Sequence, residues 1–304
     1  MASITVSVPS ERLAEKLADT GAEVLVWKMD GPAPRETIDL VVPPYMAGNA
    51  GLPLLEGVRT QLVQGQSIGY EGVEQKLPAG VVFANAATVH ETSTAELALA
   101  LALAAQREFV RFMQAQATGT WSPVVASSLA DRRVLVLGYG GVGKAVAARL
   151  APFEVEVIPV ATRARDEDGV HVHGVDELPD LLPAAEIVIA TLPGGDATRH
   201  IVDDEFLAAL PDGALIVNVG RGSLIDTDAL VDHVSRGRIR AALDVTEPEP
   251  LPADHPLWTL DGVLIAPHVG GATNAMAPRS EALIRRQIGH LQRGETPENI
   301  VLRT

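Results

Sequence analysis

The sequence predicts an α/β protein made of two doubly wound parallel-sheet units. Strand-length apolar runs alternate with helical patterns along most of the chain. The alternation breaks once, near residue 95, and then restarts more strongly. At 304 residues and 47% hydrophobic composition, the chain can fill two cores of ordinary domain size.

The first third supplies strands at Ile4–Val8, Val24–Trp27, Asp39–Val42, Val58–Val63 and Val81–Ala84, with a helix at Glu11–Ala18. Ser93-Thr94-Ala95-Glu96 has the form of a capping box, and a Leu/Ala-rich helix runs from it to Arg107. Apolar residues surround that helix almost completely, which predicts burial between domains or subunits. Phe109 to Asp131 is poorly patterned, and Trp121 within it is expected to pack against its own chain. Six further strands are predicted at Val134–Leu137, Val155–Val160, Glu186–Thr191, Ala214–Val219, Ile239–Val245 and Val263–Ala266. Helices at Lys144–Leu150, Asp203–Leu210 and Thr227–Arg236 fall between them.

Composition narrows the function classes. A net charge of −15 argues against nucleic acid or an anionic membrane as partner. The absence of cysteine excludes disulfides, thiolate chemistry and cysteine-ligated zinc. No secretory signal is visible at Met1 to Val8, and Ala95 to Ala105 is too short to span a bilayer, so a cytoplasmic protein is expected. His171 and His173 lie two apart on a candidate strand, but no carboxylate or third histidine is evidently placed with them, and no metal is expected.

Val134 to Leu137 runs directly into Gly138-Tyr139-Gly140-Gly141-Val142-Gly143, and a helix follows. In a strand–turn–helix of this kind the first glycine permits the tight turn and the second lets backbone approach a pyrophosphate. The third allows close helix–strand packing. The helix N-terminus then offers N–H groups to the phosphate. Gly138 to Lys144 also matches the start of a nucleotide-triphosphate loop, but Ala145 stands where a magnesium-binding Ser or Thr is needed. A dinucleotide is the expected ligand.

Ligands of open parallel sheets sit beyond the carboxyl ends of the strands. Arg221 follows the strand ending at Val219, Glu247 and Glu249 follow the one ending at Val245, and His268 follows the one ending at Ala266. This set suits hydride transfer to a 2-keto acid. A guanidinium fork grips carboxylate and carbonyl oxygens, an imidazolium donates a proton, and a carboxylate orients and stabilises that imidazolium.

These motifs resemble those of the D-isomer-specific 2-hydroxyacid dehydrogenases, which include glyoxylate-, hydroxypyruvate- and phosphoglycerate-converting members. The resemblance is carried by the glycine loop, Asn218-Val219-Gly220-Arg221-Gly222, Leu243 to Pro252, and Ala266-Pro267-His268-Val269-Gly270-Gly271-Ala272-Thr273. It implies a Rossmann cofactor domain at 95–274 and a flavodoxin-like substrate domain formed by 1–94 and 275–304. It assigns substrate binding to Arg221 and acid/base chemistry to His268. Family spacing from Asp244 selects Glu249 as the partner of His268, with Glu247 as the alternative. Tyr139 and Val142 of the glycine loop, together with Leu192, Pro193, Val219, Gly220, Asp244 and Gly270, fall along the implied cofactor path. Ser67, Ile68 and Gly69 resemble the loop whose backbone N–H groups meet the substrate carboxylate. A small 2-keto or 2-hydroxy acid is the implied partner, and a homodimer the implied assembly. Two other readings stay open: a dinucleotide-sensing corepressor, which keeps the same Arg, Glu and His, and a phosphoglycerate dehydrogenase.

The dinucleotide is expected to be NADP(H) in preference to NAD(H). NAD-binding sites place an acid at the end of the second strand, about twenty residues past the glycine loop, to hold the ribose 2′-OH. That position is Ala161 here, followed by Thr162, Arg163 and Arg165, which suit a 2′-phosphate.

Overall fold

The computed structural model describes residues 4–45 and 49–304. Residues 1–3, part of the alternating N-terminal pattern, lie outside the described residues. The elements in chain order are β1 (Thr5–Val8), α1 (Glu11–Leu17), β2 (Glu23–Val26), β3 (Leu40–Val41), β4 (Leu62–Gln64), β5 (Val82–Ala84), α2 (Glu91–Gln106) and α3 (Phe109–Ala117). They continue with β6 (Arg133–Leu137), α4 (Gly141–Leu150), β7 (Glu156–Ala161), β8 (Arg165–Glu167), β9 (Val170–Gly174), α5 (Leu178–Leu181), β10 (Ile187–Ala190), α6 (Asp204–Ala209) and β11 (Ala214–Asn218). The last are α7 (Thr227–Ser235), β12 (Ile239–Leu243), β13 (Val263–Ile265), α8 (Met276–Arg293) and β14 (Ile300–Arg303). The chain divides into two compact units, residues 1–90 with 274–304, and residues 91–273.

In the first unit the sheet runs β14-β5-β4-β3-β1-β2, parallel except for β14. Numbering only its parallel strands, the order is 2-1-3-4-5, that of flavodoxin-type sheets. Strand alternation sends Val6, Val8, Leu40, Leu62 and Ala84 to one face, where Leu17 of α1 and Ile284 and Ile288 of α8 cover them. Val41, Val63 and Phe83 point the other way, against Trp27, Leu52, Leu55 and Leu77. That second face has no α-helix over it among the described residues. A 3-10 turn at Leu52–Leu55 and loop residues close it instead. Here the expected double winding is thinner than the sequence suggested: Gly31, Pro32, Pro34, Pro43 and Pro44 punctuate the connections around β3, and proline and glycine both disfavour helix. The strand expected at Val58–Val63 also shifts, because ladder pairing begins only at Leu62 and Val58 belongs to a turn closed by its N–H to Leu55 O.

In the second unit the sheet runs β13-β12-β11-β10-β6-β7-β9-β8, parallel except for β8. Both faces are covered. Leu135, Leu137, Val188, Ile216 and Leu243 pack with Leu178, Phe206 and Leu230 on one side. Val134, Val136, Ile189, Leu215 and Val217 pack with Ala95, Ala98, Leu99 and Val146 on the other. Two-sided burial explains why these strands read as unbroken apolar runs. The strand order reverses between β6 and β10, creating the switch-point crevice where ligands of such sheets bind.

Three local expectations fail in this unit. The capping box is absent: α2 begins at Glu91, so Ser93 is inside the helix, and its hydroxyl pairs with that of Thr273 at 2.7 Å. The poorly patterned segment contains α3, whose Phe109, Phe112 and Met113 are exposed, so no core-facing stripe marked it. Trp121 is 95% exposed and does not pack against its own chain. Among the described residues no helix is long and apolar enough to cross a membrane.

Candidate active site

The glycine loop has the geometry its spacing demands. Gly138 sits at φ +104°, and a side chain there would meet Leu192 N at 2.9 Å. At Gly143 a Cβ would lie 1.9 Å from Gly138 O, so only glycine lets α4 pack this closely on β6. At Gly140, the N-cap of α4, a Cβ would meet nothing within 4 Å. Two glycines are thus required by the protein's own packing. The third leaves an open approach at the start of a ten-residue helix, which fits a dinucleotide pyrophosphate. Thr191 supports the turn by donating to Gly138 O at 2.7 Å, and Leu192 is buried beside it while Pro193 is exposed. Tyr139 O accepts from Arg165 at 3.4 Å, and Val142 is half-buried against the α2 side of the core.

Thr162 and Arg163 are exposed just past the end of β7 at Ala161. Arg163 has no hydrogen-bond or ion-pair partner among the described residues. Arg165 differs, because its guanidinium is held by Glu167 at 2.9 Å, and Lys144 reaches the same carboxylate at 2.5 Å. Those contacts, Lys144 first, hold the Glu167 carboxyl below its ordinary range.

At the end of β11, Asn218 folds the chain back on itself. Its side-chain oxygen accepts the Gly220 N–H at 3.0 Å and its amide donates to Arg221 O at 2.8 Å. Val219 and Gly220 are buried, and a Cβ on Gly220 would fall 2.6 Å from Leu192 O. Arg221 is half-buried, with Nη1 donating to Gly220 O at 2.7 Å.

Asp244 ends β12 at 3% exposure. Its two carboxylate oxygens accept the N–H groups of Val269 at 2.7 Å and Gly270 at 2.9 Å, while its carbonyl accepts the His268 N–H at 2.8 Å. Burial pushes its carboxyl above the usual range, against the pull of those two backbone donors. One side chain therefore fixes the turn after β13. Within that turn His268 adopts φ +53°, a conformation side-chain-bearing residues rarely take and that packing must enforce. Its Nδ1 lies 2.5 Å from Glu249 Oε1.

The two candidate glutamates are separated clearly. Glu249 meets His268, whereas Glu247 meets Arg199 Nη1 at 2.7 Å and His200 Nε2 at 2.9 Å. The contact with His200, then that with Arg199, keeps the Glu247 carboxyl below its ordinary range despite partial burial. Arg199 and His200 carry no local sequence signal, since their partner is 47 or more residues away.

In the other unit, the segment Gln66 to Gly69 is anchored through its carbonyls. Gln66 O meets His90 Nε2 at 2.7 Å, Ser67 O accepts from Ala86 N at 2.9 Å, and Ile68 O accepts from Asn85 Nδ2 at 2.8 Å. Among the described residues, the N–H groups of Ser67, Ile68 and Gly69 have no acceptor. Elsewhere, His171 and His173 are joined by Glu177, a carboxylate that the sequence did not reveal as their neighbour.

The NAD-binding domain of D-isomer specific 2-hydroxyacid dehydrogenases matches residues 99–270. A D-3-phosphoglycerate dehydrogenase from Methanocaldococcus jannaschii is 32% identical over 98% of this chain, which spans 55% of that longer protein. A glyoxylate reductase from Thermococcus onnurineus is 30% identical over 81% of this chain and 77% of its own length. The crystal structure of a D-isomer specific 2-hydroxyacid dehydrogenase from Xanthobacter autotrophicus Py2, in complex with NADPH and MES, superposes with a TM-score of 0.84. It shares 28% identity and covers 99% of this chain and 98% of its own. The chain belongs to the D-isomer-specific 2-hydroxyacid dehydrogenase family, NAD(P)H-dependent oxidoreductases of 2-keto and 2-hydroxy acids.

Proposed function

We propose that this chain reduces a small 2-keto acid to the D-2-hydroxy acid, using NADP(H) in preference to NAD(H). The observation that carries the reading is the 2.5 Å pairing of His268 Nδ1 with Glu249 Oε1, in the unit that holds the glycine loop. A reduced nicotinamide bound along that loop supplies hydride to the carbonyl carbon. Glu249 fixes the histidine ring through Nδ1, leaving Nε2 to give a proton to the carbonyl oxygen as it becomes a hydroxyl. Arg221 binds the substrate carboxylate and polarises the carbonyl. Ser67, Ile68 and Gly69 contribute backbone N–H donors to that carboxylate, in keeping with their anchored carbonyls. Leu192, Pro193, Val219, Gly220, Asp244 and Gly270 line the cofactor.

The NADP(H) preference rests on Ala161 in place of an acid and on Arg163, whose guanidinium is uncommitted among the described residues. The NADPH complex of the Xanthobacter relative supports the same choice. A homodimer belongs to this proposal, supported by the exposed Phe109, Phe112, Met113 and Trp121.

The test is a steady-state panel of glyoxylate, hydroxypyruvate, pyruvate, longer keto acids and 3-phosphohydroxypyruvate, each with NADPH and NADH and with the product resolved on a chiral column. Turnover of a small keto acid to D product with a lower KM for NADPH supports the reading. Preference for the phosphorylated substrate makes the chain a phosphoglycerate dehydrogenase. Absence of turnover on all of them, with tight cofactor binding, overturns it in favour of a dinucleotide sensor.

A further inference from the structure

We propose that the β8–β9 hairpin carries a binding site for a divalent transition-metal ion of the zinc class, with His171, His173 and Glu177 as its protein ligands. The site belongs to the unit of residues 91–273, at the β8 edge of its sheet, and is independent of the proposed reduction.

Strand period places the two imidazoles together. His171 and His173 leave β9 on the same side, while Val172 between them is buried on the other. Their ring centroids are 4.7 Å apart in an edge-to-face contact. Gly174 then turns the chain sharply: a Cβ there would fall 2.2 Å from Asp176 Oδ1. Its N–H donates to Glu177 Oε1 at 2.7 Å, and that bond carries Glu177 Oε2 to 2.7 Å from His173 Nδ1. One donor atom from each of the three side chains lies within 4.8 Å of the others.

A fourth residue completes the arrangement. Asp166 faces His171 across the antiparallel ladder, with Oδ1 2.8 Å from His171 Nδ1. A carboxylate on one ring nitrogen fixes the ring and leaves the other nitrogen as the lone-pair donor, the usual support of a metal-bound histidine. Two imidazole nitrogens and one carboxylate oxygen form a borderline donor set that zinc takes with water in its fourth position. Zinc–nitrogen and zinc–oxygen distances near 2 Å put tetrahedral donors about 3.3 Å apart. Closing from 4.8 Å takes only side-chain rotation, because His171 is exposed and Glu177 half-buried. In the His173–Glu177 pair the metal replaces the shared proton, and the two atoms separate by a few tenths of an ångström.

The experiment is calorimetric titration of the untagged, chelator-treated chain with Zn2+, and a parallel titration with Co2+ followed by visible absorption. One equivalent of tightly bound Zn2+ and a four- or five-coordinate Co2+ spectrum are expected. His171→Ala, His173→Ala and Glu177→Gln are each expected to weaken binding at least tenfold. His290→Ala, which alters a separate histidine–glutamate cluster at the end of α8, is expected to leave binding unchanged. Zinc should raise the Tm of the parent chain and leave that of His171→Ala unmoved. An unchanged isotherm in the His171→Ala/His173→Ala double variant, or no stoichiometric binding by the parent, overturns the proposal.

Discussion

The carboxylate of Asp244 accepts the backbone N–H of Gly270 at 2.9 Å, and with its other oxygen it accepts that of Val269 at 2.7 Å. The turn that carries His268 is thus held by an acceptor-only group buried at the end of the neighbouring strand.

Asp244→Asn tests that dependence. An amide has one oxygen, so one of the two N–H donors would face an NH2 group and lose its acceptor. Loss of a buried charged hydrogen bond costs about 1–3 kcal/mol. Chemical denaturation should therefore show a lower midpoint for the unit that contains it. Because the same change loosens His268, kcat should fall more than the KM for cofactor rises.

Glu249 and Glu247 share a loop but have different partners, so their variants should differ in kind. Glu249→Gln is expected to lower kcat by about ten- to a hundredfold, and His268→Gln by at least the ~10²–10⁴ attributable to acid–base catalysis. Glu247→Gln should change kcat little and stability more. Glu247 is held below its ordinary value of 4.5 by the His200 contact first and then by Arg199. An acid whose folded value is depressed contributes stability that is complete above the unfolded value and is lost as pH falls through the folded one. Thermal melts from pH 6 down to pH 3 should show the parent losing its advantage over Glu247→Gln below about pH 4.5. Parallel curves would remove Glu247 from that role.

Much of this site was legible because a parallel sheet sends the carboxyl ends of all its strands to one edge. Reading the residue after each apolar run therefore found Arg221, Glu249 and His268 without any knowledge of contacts. What escaped depends on partners far along the chain. Ser93 looked like a cap, but its hydroxyl goes to Thr273, 180 residues away. Glu177 lies close in sequence to His173, yet only the turn at Gly174 brings its carboxylate to the ring. Helix α3 was hidden because its apolar residues face outward and so never met the core whose periodicity betrays most helices.

Arg163 and Arg165 were indistinguishable in the sequence, but Arg165 is committed to Glu167 and Arg163 is not. Arg163→Ala is expected to raise the KM for NADPH about tenfold or more, in line with the loss of a charge-assisted contact to phosphate, and to leave that for NADH nearly unchanged. Arg165→Ala should have a smaller effect on NADPH. Equal effects of Arg163→Ala on both cofactors would show that the 2′-phosphate is recognised elsewhere.

The glycine loop permits the cleanest separation of folding from binding. At Gly143 an added methyl would lie 1.9 Å from Gly138 O, a backbone atom that cannot yield without parting α4 from β6. Gly143→Ala should therefore lower the Tm and weaken cofactor binding together. At Gly140 the backbone is at φ −89° and ψ −159°, open to any residue, and a methyl meets nothing within 4 Å. Gly140→Ala should leave the Tm within about 2 °C of the parent, the range of a change below ~0.5 kcal/mol. Its methyl would nonetheless stand where backbone must approach the pyrophosphate, so the Kd for NADPH should rise at least tenfold. Fluorescence titration beside a thermal melt reads both quantities on the same sample. Unchanged NADPH affinity in Gly140→Ala would mean that the pyrophosphate does not lie against this glycine, and that the open space there serves another purpose.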